Sequence, residues 1–240
     1  MSTAAAGPVV EVATPQGPGR FHVSQASSAG SPVALLVLGH GAGGGVGAPD
    51  LLALARRLPE AGISVLRFEQ PWRVAGRRIA VRPPLLDEAW LAGFEAVGAA
   101  LPGLLHPALP LVVGGRSAGA RVACRTAAAL GAVGVLCLSF PLHLPGRPER
   151  SRLGELLAPS VPRLVLQGTR DTFGSAAEVT QALATAGPEA GVRVVGLDGA
   201  DHSGRVPKGA SPGAAELRDV VVEATSAFVG SRGMSRGIPL

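Results

Sequence analysis

Continuous apolar runs that alternate with helical patterns constrain the fold of this 240-residue chain more than any other feature. The central runs are rich in Val, Leu and Ile without polar alternation, which is typical of strands covered on both faces. Strands that alternate with helices predict an α/β fold, in which a mostly parallel sheet carries helices on both faces. The predicted strands are Val9–Ala13, Arg20–Ser24, Val33–Leu38, Ser64–Phe68, Leu111–Gly114, Gly134–Ser139, Arg163–Leu166 and Arg193–Leu197. The predicted helices are Pro49–Ala61, Pro84–Leu101, Ser117–Leu130, Ala176–Ala186 and Ala214–Val229.

The spacing of these elements indicates how the chain is divided. Only the turn around Pro15–Gly19 separates the first two strands, which predicts an antiparallel hairpin. No internal repeat or linker interrupts the chain, so residues 1–230 are expected to form a single domain. The composition of residues 231–240 predicts a loose C-terminal tail.

Composition disfavours several classes of partner. The formal charge is +5, but Lys208 is the only lysine, the arginines are dispersed and aromatic residues make up 3% of the chain. Such a chain offers few stacking platforms for bases, so no nucleic-acid partner is expected. Residues 1–18 lack the basic start of a signal peptide, and every apolar run is shorter than a membrane span. These features predict a cytoplasmic protein with no membrane partner.

The two cysteines, Cys124 and Cys137, fall in a predicted helix and a predicted strand. Their spacing is not that of a metal site, and a protein of the cytoplasm keeps its thiols reduced. We therefore expect two buried, reduced thiols and no metal.

The segment around Ser117 carries the most information about function. The apolar run Leu111–Gly114 leads into Gly115–Gly119, which fits G-x-S-x-G, and then into a helix-forming stretch. In a nucleophile elbow, a serine occupies such a strained turn between a strand and a helix. A glycine-rich chain also produces this pattern with a serine that only caps the helix. The flanking strand and helix favour the nucleophile.

A serine nucleophile needs a base and an acid, and the loops after the last two strands supply candidates. A base takes the hydroxyl proton, and a carboxylate holds the base in the required tautomer. His202 follows the last strand, and Asp171 follows the strand before it. Asp198 and Asp201 compete for the role of the acid, but Asp201 adjoins the histidine in sequence. We favour Asp171, because the order serine, acid, histidine accompanies this type of elbow.

The loop after the third strand can complete such a site. A tetrahedral oxyanion needs two preorganised backbone N–H donors. Ala118 directly follows the serine and is expected to supply one of them. The second is expected from Ala42, or from Gly43 if the register differs.

The same loop admits a rival interpretation as a dinucleotide site. Gly39–Gly44 fits G-x-G-x-x-G, and Glu69 ends the next strand as a ribose-binding acid would. However, the next helix begins only near Pro49, too far downstream for its N-terminus to bind a pyrophosphate. A dinucleotide-binding oxidoreductase is therefore disfavoured.

Together these motifs resemble the α/β-hydrolase superfamily, on its dienelactone-hydrolase-like side, from about Gly7 to Val229. More narrowly, the chain looks like bacterial relatives of the testis-expressed and NSL-complex-subunit hydrolase-like proteins. The motifs that carry the resemblance are Gly39–Gly43, Arg67–Arg73 with Gly76–Arg78, Gly115–Gly119, Phe140–His143 with Pro145–Glu149, and the loops of Asp171 and His202. The resemblance implies an eight-stranded sheet with its second strand antiparallel, and a serine-hydrolase site. Little room exists between Ser139 and Pro162 for a cap domain.

Several residues near the expected site are candidates for substrate binding, namely His40, Trp72, Arg73, Arg77, Arg116 and His143. Arginines 67, 73, 77, 78 and 82 crowd one strand and the loop after it. They either recognise an anionic acyl or leaving group or form surface ion pairs with Asp87 and Glu88. His143 either lines the pocket or makes a structural hydrogen bond.

The sequence therefore predicts a serine hydrolase that cleaves an ester, a thioester or a similar acyl bond through an acyl-enzyme, with no cofactor. The expected partner is a small-molecule acyl substrate, anionic if the arginines bind it. The oligomeric state is left open between monomer and homodimer. The alternative function is that of a hydrolase-fold binding or scaffold protein without efficient turnover.

Overall fold

A computed structural model describes residues 7–27, 32–106, 108–187 and 191–234, and its elements follow the predicted alternation. The strands are β1 Val9–Val12, β2 Gly19–Ser24, β3 Ala34–Gly39, β4 Ile63–Glu69, β5 Leu111–Arg116, β6 Gly134–Leu138, β7 Arg163–Gly168 and β8 Val192–Leu197. The helices are α1 Pro49–Arg57, α2 Pro71–Val74, α3 Pro83–Ala100, α4 Ala118–Thr126, α5 Leu153–Leu157, α6 Ala176–Ala186 and α7 Ala214–Met234.

The strands form one eight-stranded sheet in the order β1-β2-β4-β3-β5-β6-β7-β8. Strand β2 pairs antiparallel with both β1 and β4, and all other pairs are parallel. The predicted eight-stranded α/β fold, including the antiparallel second strand, is confirmed.

Two apolar clusters cover the two faces of this sheet. Leu51 and Leu54 of α1 pack with Leu217 and Val221 of α7 on one face. On the other face, residues of α3, α4 and α6 pack together, with Trp90 of α3 among them. The central strands are buried from both sides, and all of β3 is buried. This two-sided burial explains why their sequences are continuous apolar runs without alternation.

Several element boundaries differ from those predicted. Helix α1 continues after Arg57 only as a tight 3₁₀ turn, because Pro59 has no N–H to extend the α-helical ladder. Helix α4 ends at Thr126, four positions before the predicted Leu130. The short helices α2 and α5 were not predicted. None of the described helices is long and apolar enough to cross a bilayer.

The C-terminal part of the chain differs from the prediction. Helix α7 continues through Met234, so the loose tail predicted from residue 231 is wrong for residues 231–234. Residues 235–240 lie outside the described part of the chain.

Between Ser139 and Pro162, the five-residue helix α5 is the only helix or strand, so the fold has no cap domain, as the sequence predicted. Cys124 and Cys137 are buried and form no disulfide, and their thiols are hydrogen-bonded with the Sγ atoms 3.6 Å apart.

A close backbone contact joins β3 to the start of α4. A Cβ atom built on Gly119 would lie 2.4 Å from the carbonyl carbon and oxygen of Gly39. Only a residue without a side chain allows this approach, which brings the loop after β3 beside the helix that follows Ser117.

This contact predicts different costs for two glycine substitutions. Gly119→Ala should lower the free energy of unfolding by about 3 kcal/mol or more, because backbone atoms cannot yield as side chains do. Gly43→Ala is the matched control, since a Cβ there would meet nothing within 4 Å. Urea unfolding of both variants measures the difference. Equal stability of Gly119→Ala and the wild type would contradict the close contact.

Candidate active site

The carboxyl ends of neighbouring strands bring the predicted site together. The loop His40–Gly43 follows β3, Ser117 follows β5, Asp171 follows β7 and His202 follows β8. In the sheet, β3 lies beside β5, and β7 lies beside β8. Parallel strands end at the same edge, so residues that are far apart in sequence meet there.

Ser117 has the backbone of a nucleophile elbow. Its φ is 51° and its ψ is −109°, a conformation that residues other than glycine rarely adopt. Its N–H donates to the carbonyl oxygen of Leu138 on the neighbouring strand, at 2.9 Å. The side chain makes no capping hydrogen bond to α4. The alternative of a serine that merely caps the helix is therefore wrong.

The side chain of Ser117 instead starts a chain of hydrogen bonds. Its Oγ lies 2.9 Å from Nε2 of His202, whose Nδ1 lies 2.8 Å from Oδ2 and 3.0 Å from Oδ1 of Asp171. The carboxylate of Asp171 is fully buried, with 0% of its side chain exposed. It accepts the Nδ1 proton, which leaves Nε2 unprotonated and able to accept the serine proton.

The two competing aspartates have other partners. Asp198 is exposed and accepts from the hydroxyl of Thr169, at 3.3 Å. Oδ1 of Asp201 accepts the N–H groups of Ser203 and Arg205, which closes a turn in the loop. Asp171 therefore contacts the imidazole, and its two competitors do not.

Two residues that sequence reasoning missed fix the acid and the base. The two N–H groups on Nε2 of Gln167 are shared among three acceptors, which are Oδ2 of Asp171 at 3.0 Å and the carbonyl oxygens of Phe140 and Gly174. The N–H of Phe173 donates to Oδ1 of Asp171 at 2.8 Å, and its ring stacks on His202 with centroids 4.1 Å apart. The only available signal was a polar residue at the end of the apolar strand β7.

The loop after β3 presents free N–H groups beside Ser117. The N–H groups of Ala42, Gly43 and Ala118 have no hydrogen-bond partner among the described residues. Ala42 and Ala118 line the same narrow cavity at the start of α4, whereas Gly43 lines only the larger cleft. Ala42 therefore borders both spaces and stays the first candidate for the companion of Ala118, with Gly43 as the alternative.

His40 and Trp72 lie beneath this loop, so the expectation that they bind substrate is not supported. Nδ1 of His40 donates to the carbonyl oxygen of Gly41 at 2.9 Å, and its Nε2 accepts the N–H of Gln70 at 3.1 Å. Trp72 is buried, and its ring centroid lies 5.5 Å from that of His40. Burial lowers the pKa of His40 below its ordinary value, although the bond to Gly41 opposes this. A neutral His40 supports the loop.

A cleft of about 990 Å³ opens above Ser117 and His202. Ser139, also at a positive φ of 48°, forms part of its wall. Besides His40 and Trp72, two more predicted substrate-binding residues, Arg77 and His143, do not line it. Arg77 lies on the exposed segment after α2. His143 packs below the acid loop, where Nδ1 of its ring donates to the carbonyl oxygen of Leu144 at 2.9 Å, which supports the alternative of a structural hydrogen bond.

The arginines of β4 and the loop after it do not form the surface ion pairs with Asp87 and Glu88 that were the alternative to substrate recognition. Asp87 forms a bidentate pair with Arg125, and Glu88 accepts from Gln16. Arg67 donates to the carbonyl oxygen of Val46 at 2.6 Å and so anchors the glycine-rich loop. The charged side chains that line the cleft are Arg73, Arg116, Arg205, Arg218, Asp50 and Glu69.

Arg116 is not free to bind a substrate as the sequence suggested. Its guanidinium forms an ion pair with Asp50 and also donates to the backbone carbonyl oxygen of His202. Within the described residues, no group of three or more His, Cys, Asp or Glu side chains could hold a metal ion.

Comparison with known proteins agrees with this architecture. Residues 32–230 match the alpha/beta hydrolase domain family. The chain belongs to that family. A serine hydrolase without a lid from Xanthomonas campestris superposes on this alpha/beta hydrolase with a TM-score of 0.69 at 21% identity, covering 95% of this chain and 98% of the other.

Two further solved structures share the fold of this alpha/beta hydrolase. An alpha-beta serine hydrolase homologue from Coxiella burnetii has a TM-score of 0.71 at 17% identity, covering 93% of this chain and 99% of its own. An esterase from Pyrobaculum calidifontis has a TM-score of 0.65 at 18% identity, and the match covers 93% of this chain and 84% of the esterase. At these identities the similarity shows the fold.

The environment of His40 predicts a dependence of stability on pH. Its pKa in the folded protein lies below the ordinary value of 6.5, so the unfolded chain binds the proton more readily. The stabilisation by neutral His40 is therefore complete above pH 6.5 and is lost as the pH falls below it. Urea unfolding between pH 7.5 and 5 should show a smaller loss in His40→Gln than in the wild type. The exposed His106, replaced by Gln, is the control and should keep the wild-type dependence.

Proposed function

We propose that this alpha/beta hydrolase is a serine hydrolase that cleaves an ester, a thioester or a similar acyl bond. The observation that carries the proposal is the relay from Ser117 through His202 to a fully buried Asp171, with both links within 3.0 Å. Neighbouring structures described as serine hydrolases and esterases support the same reaction class. The narrower relationship to testis-expressed and NSL-complex-subunit hydrolase-like proteins rests on sequence motifs and is part of this proposal.

In the proposed acylation step, Oγ of Ser117 attacks the substrate carbonyl carbon while Nε2 of His202 takes the hydroxyl proton. Asp171 stabilises the resulting imidazolium and keeps Nδ1 protonated. The N–H groups of Ala118 and Ala42 donate to the oxyanion, and each such donor is worth about 3–4 kcal/mol in the transition state.

The breakdown of the intermediate uses the same groups. The His202 imidazolium gives its proton to the leaving oxygen or sulfur as the bond to the carbonyl carbon breaks. A water molecule then attacks the acyl-enzyme, His202 accepts its proton, and Ser117 leaves as the free hydroxyl after receiving that proton. The fold has no cap, so the open cleft gives water and substrate direct access.

Covalent labelling tests this function. A fluorophosphonate probe should label the wild type at Ser117, and Ser117→Ala should not be labelled. Asp171→Asn should lower kcat on a p-nitrophenyl ester by about 10⁴-fold, because the wrong tautomer of the histidine is then favoured. Folded wild-type protein that resists the probe would instead favour a binding or scaffold protein.

We further propose that the acyl or leaving group is anionic. Three arginines of the cleft, Arg73, Arg205 and Arg218, have no ion-pair partner among the described residues. The two acids of the cleft are engaged, because Asp50 pairs with Arg116 and Glu69 lies 3.4 Å from His22. A positive lining attracts a carboxylate or phosphate and binds it by charge-assisted hydrogen bonds.

The arginine cluster after β4 provides two matched variants, at Arg73 and at Arg77, for testing this preference for an anionic substrate. Arg73 lines the cleft, whereas Arg77 lies four positions along the chain and does not. Arg73→Met should lower kcat/KM for a hemisuccinate ester by about tenfold or more, and leave that for the neutral butyrate ester unchanged. Arg77→Met should change neither. Equal effects of the two substitutions, or no preference for the anionic ester, would contradict the proposal.

The cytoplasmic location and the monomeric or homodimeric state stay predictions from the sequence.

A further inference from the structure

The base of the proposed site lies in a segment with no helix or strand of its own. His202 falls between the end of β8 at Leu197 and the start of α7 at Ala214. Its ring is oriented by Asp171 and Phe173, but orientation of a ring does not fix the backbone that carries it. The N–H of Arg170 donates to the carbonyl oxygen of Ala200 at 3.0 Å, two positions earlier, and a further contact is needed to hold the backbone of His202 itself beside Ser117.

The side chain of Arg116 makes this contact. Nη2 of its guanidinium donates to the backbone carbonyl oxygen of His202, and Nη1 pairs with Oδ2 of Asp50. The pair is well shielded from water, with 11% of the Arg116 side chain and 13% of the Asp50 side chain exposed. A planar guanidinium with two occupied donors has a defined orientation, which a flexible ammonium would not provide.

Both ends of this contact are themselves anchored. Asp50 lies in the first turn of α1, where its Oδ1 accepts the N–H of Leu51 at 2.9 Å. On the other side, Asp201 closes the turn that contains His202 by accepting the N–H groups of Ser203 and Arg205. The Arg116 bond to the carbonyl oxygen of His202 therefore gives this turn a second attachment, beside the bond from the N–H of Arg170 to the carbonyl oxygen of Ala200 at 3.0 Å.

We propose that Arg116 is a positioning residue that sets the distance between the nucleophile and the base. The backbone of Arg116 continues directly into Ser117, and its guanidinium reaches the backbone of His202. One residue thus ties the nucleophile, the base and the start of α1 together. This inference rests on the proposed hydrolase function, and it assigns the x position of G-x-S-x-G a role distinct from substrate recognition.

The role predicts a specific pattern of kinetic constants. A misplaced base slows proton transfer without changing how the cleft binds its ligand. Arg116→Met should therefore lower kcat on a neutral p-nitrophenyl ester about 100-fold, the loss expected for a misplacement of about 1 Å, with KM unchanged within about twofold. The rate of fluorophosphonate labelling should fall in parallel. Arg116→Lys retains the charge but not the two-donor fork and should recover only part of the rate.

A matched control separates positioning from a general loss of stability. Arg57 lies in α1, as Asp50 does, and pairs with Asp219 of α7, but that pair is exposed, with 46% and 54% of the side chains accessible. Arg57→Met should leave kcat, KM and the labelling rate unchanged. Adding millimolar methylguanidinium to Arg116→Ala should restore part of the rate, which a merely destabilised protein would not show.

Proton NMR without substrate gives an independent readout. The Nδ1 proton of His202, bonded to Asp171, should resonate far downfield in the wild type and in Arg57→Met. In Arg116→Met it should broaden or disappear while the spectrum stays that of a folded protein. If Arg116→Met does not fold, Asp50→Asn, which removes the anchor of the guanidinium, should show the same broadening and a smaller loss of kcat.

The outcomes that overturn the inference are distinct from those that overturn the proposed function. Wild-type labelling and kcat in folded Arg116→Met would exclude a positioning role. A rise in KM for anionic esters at unchanged kcat would restore Arg116 as a substrate-binding residue. A wild type that no probe labels would refute the hydrolase, and the NMR comparison would then decide on positioning alone.

Discussion

The hydrogen bond between the buried carboxylate of Asp171 and Nδ1 of His202 is the interaction on which the rest of the site depends. A charge removed from water is costly unless hydrogen bonds replace its hydration. Gln167 and the N–H of Phe173 provide them, and the imidazole provides another. The end of β7 and the loop after it are built around that requirement. The benefit is a histidine with one defined tautomer, facing Ser117.

The geometry around this bond follows from the register of the sheet. Arg116 at the end of β5 pairs with Leu138 of β6, and Gly168 at the end of β7 pairs with Leu197 of β8. All these strands end at one edge, so loops that begin there lie side by side. A shift of register would separate the nucleophile from the acid and the base without altering any single element.

Much of this could be predicted from local patterns. Apolar runs, their spacing and the small residues around Ser117 are direct consequences of burial and backbone geometry, which is why strands and the elbow were predictable. The end of α7 was not, because residues 231–234 have a loop-like composition yet continue a helix. His40 and Arg116 lie inside glycine-rich motifs and Trp72 lies in the arginine cluster, and all three were predicted to bind the substrate. Position in a motif or a cluster does not reveal whether a side chain faces the cleft or the protein interior.

The order of strands and helices, the strained serine turn and the identity of the residues able to move a proton could be read from the amino-acid sequence, because these depend on neighbours along the chain. The partner that each of these residues contacts depends on tertiary packing. The bond from Gln167 to Phe140, the stacking of Phe173 on His202 and the two contacts of Arg116 join segments that are remote in sequence, so packing and register, rather than local preference, select them. Asp171 is distinguished from Asp198 for the same reason: one carboxylate is enclosed beside the imidazole, and the other faces solvent.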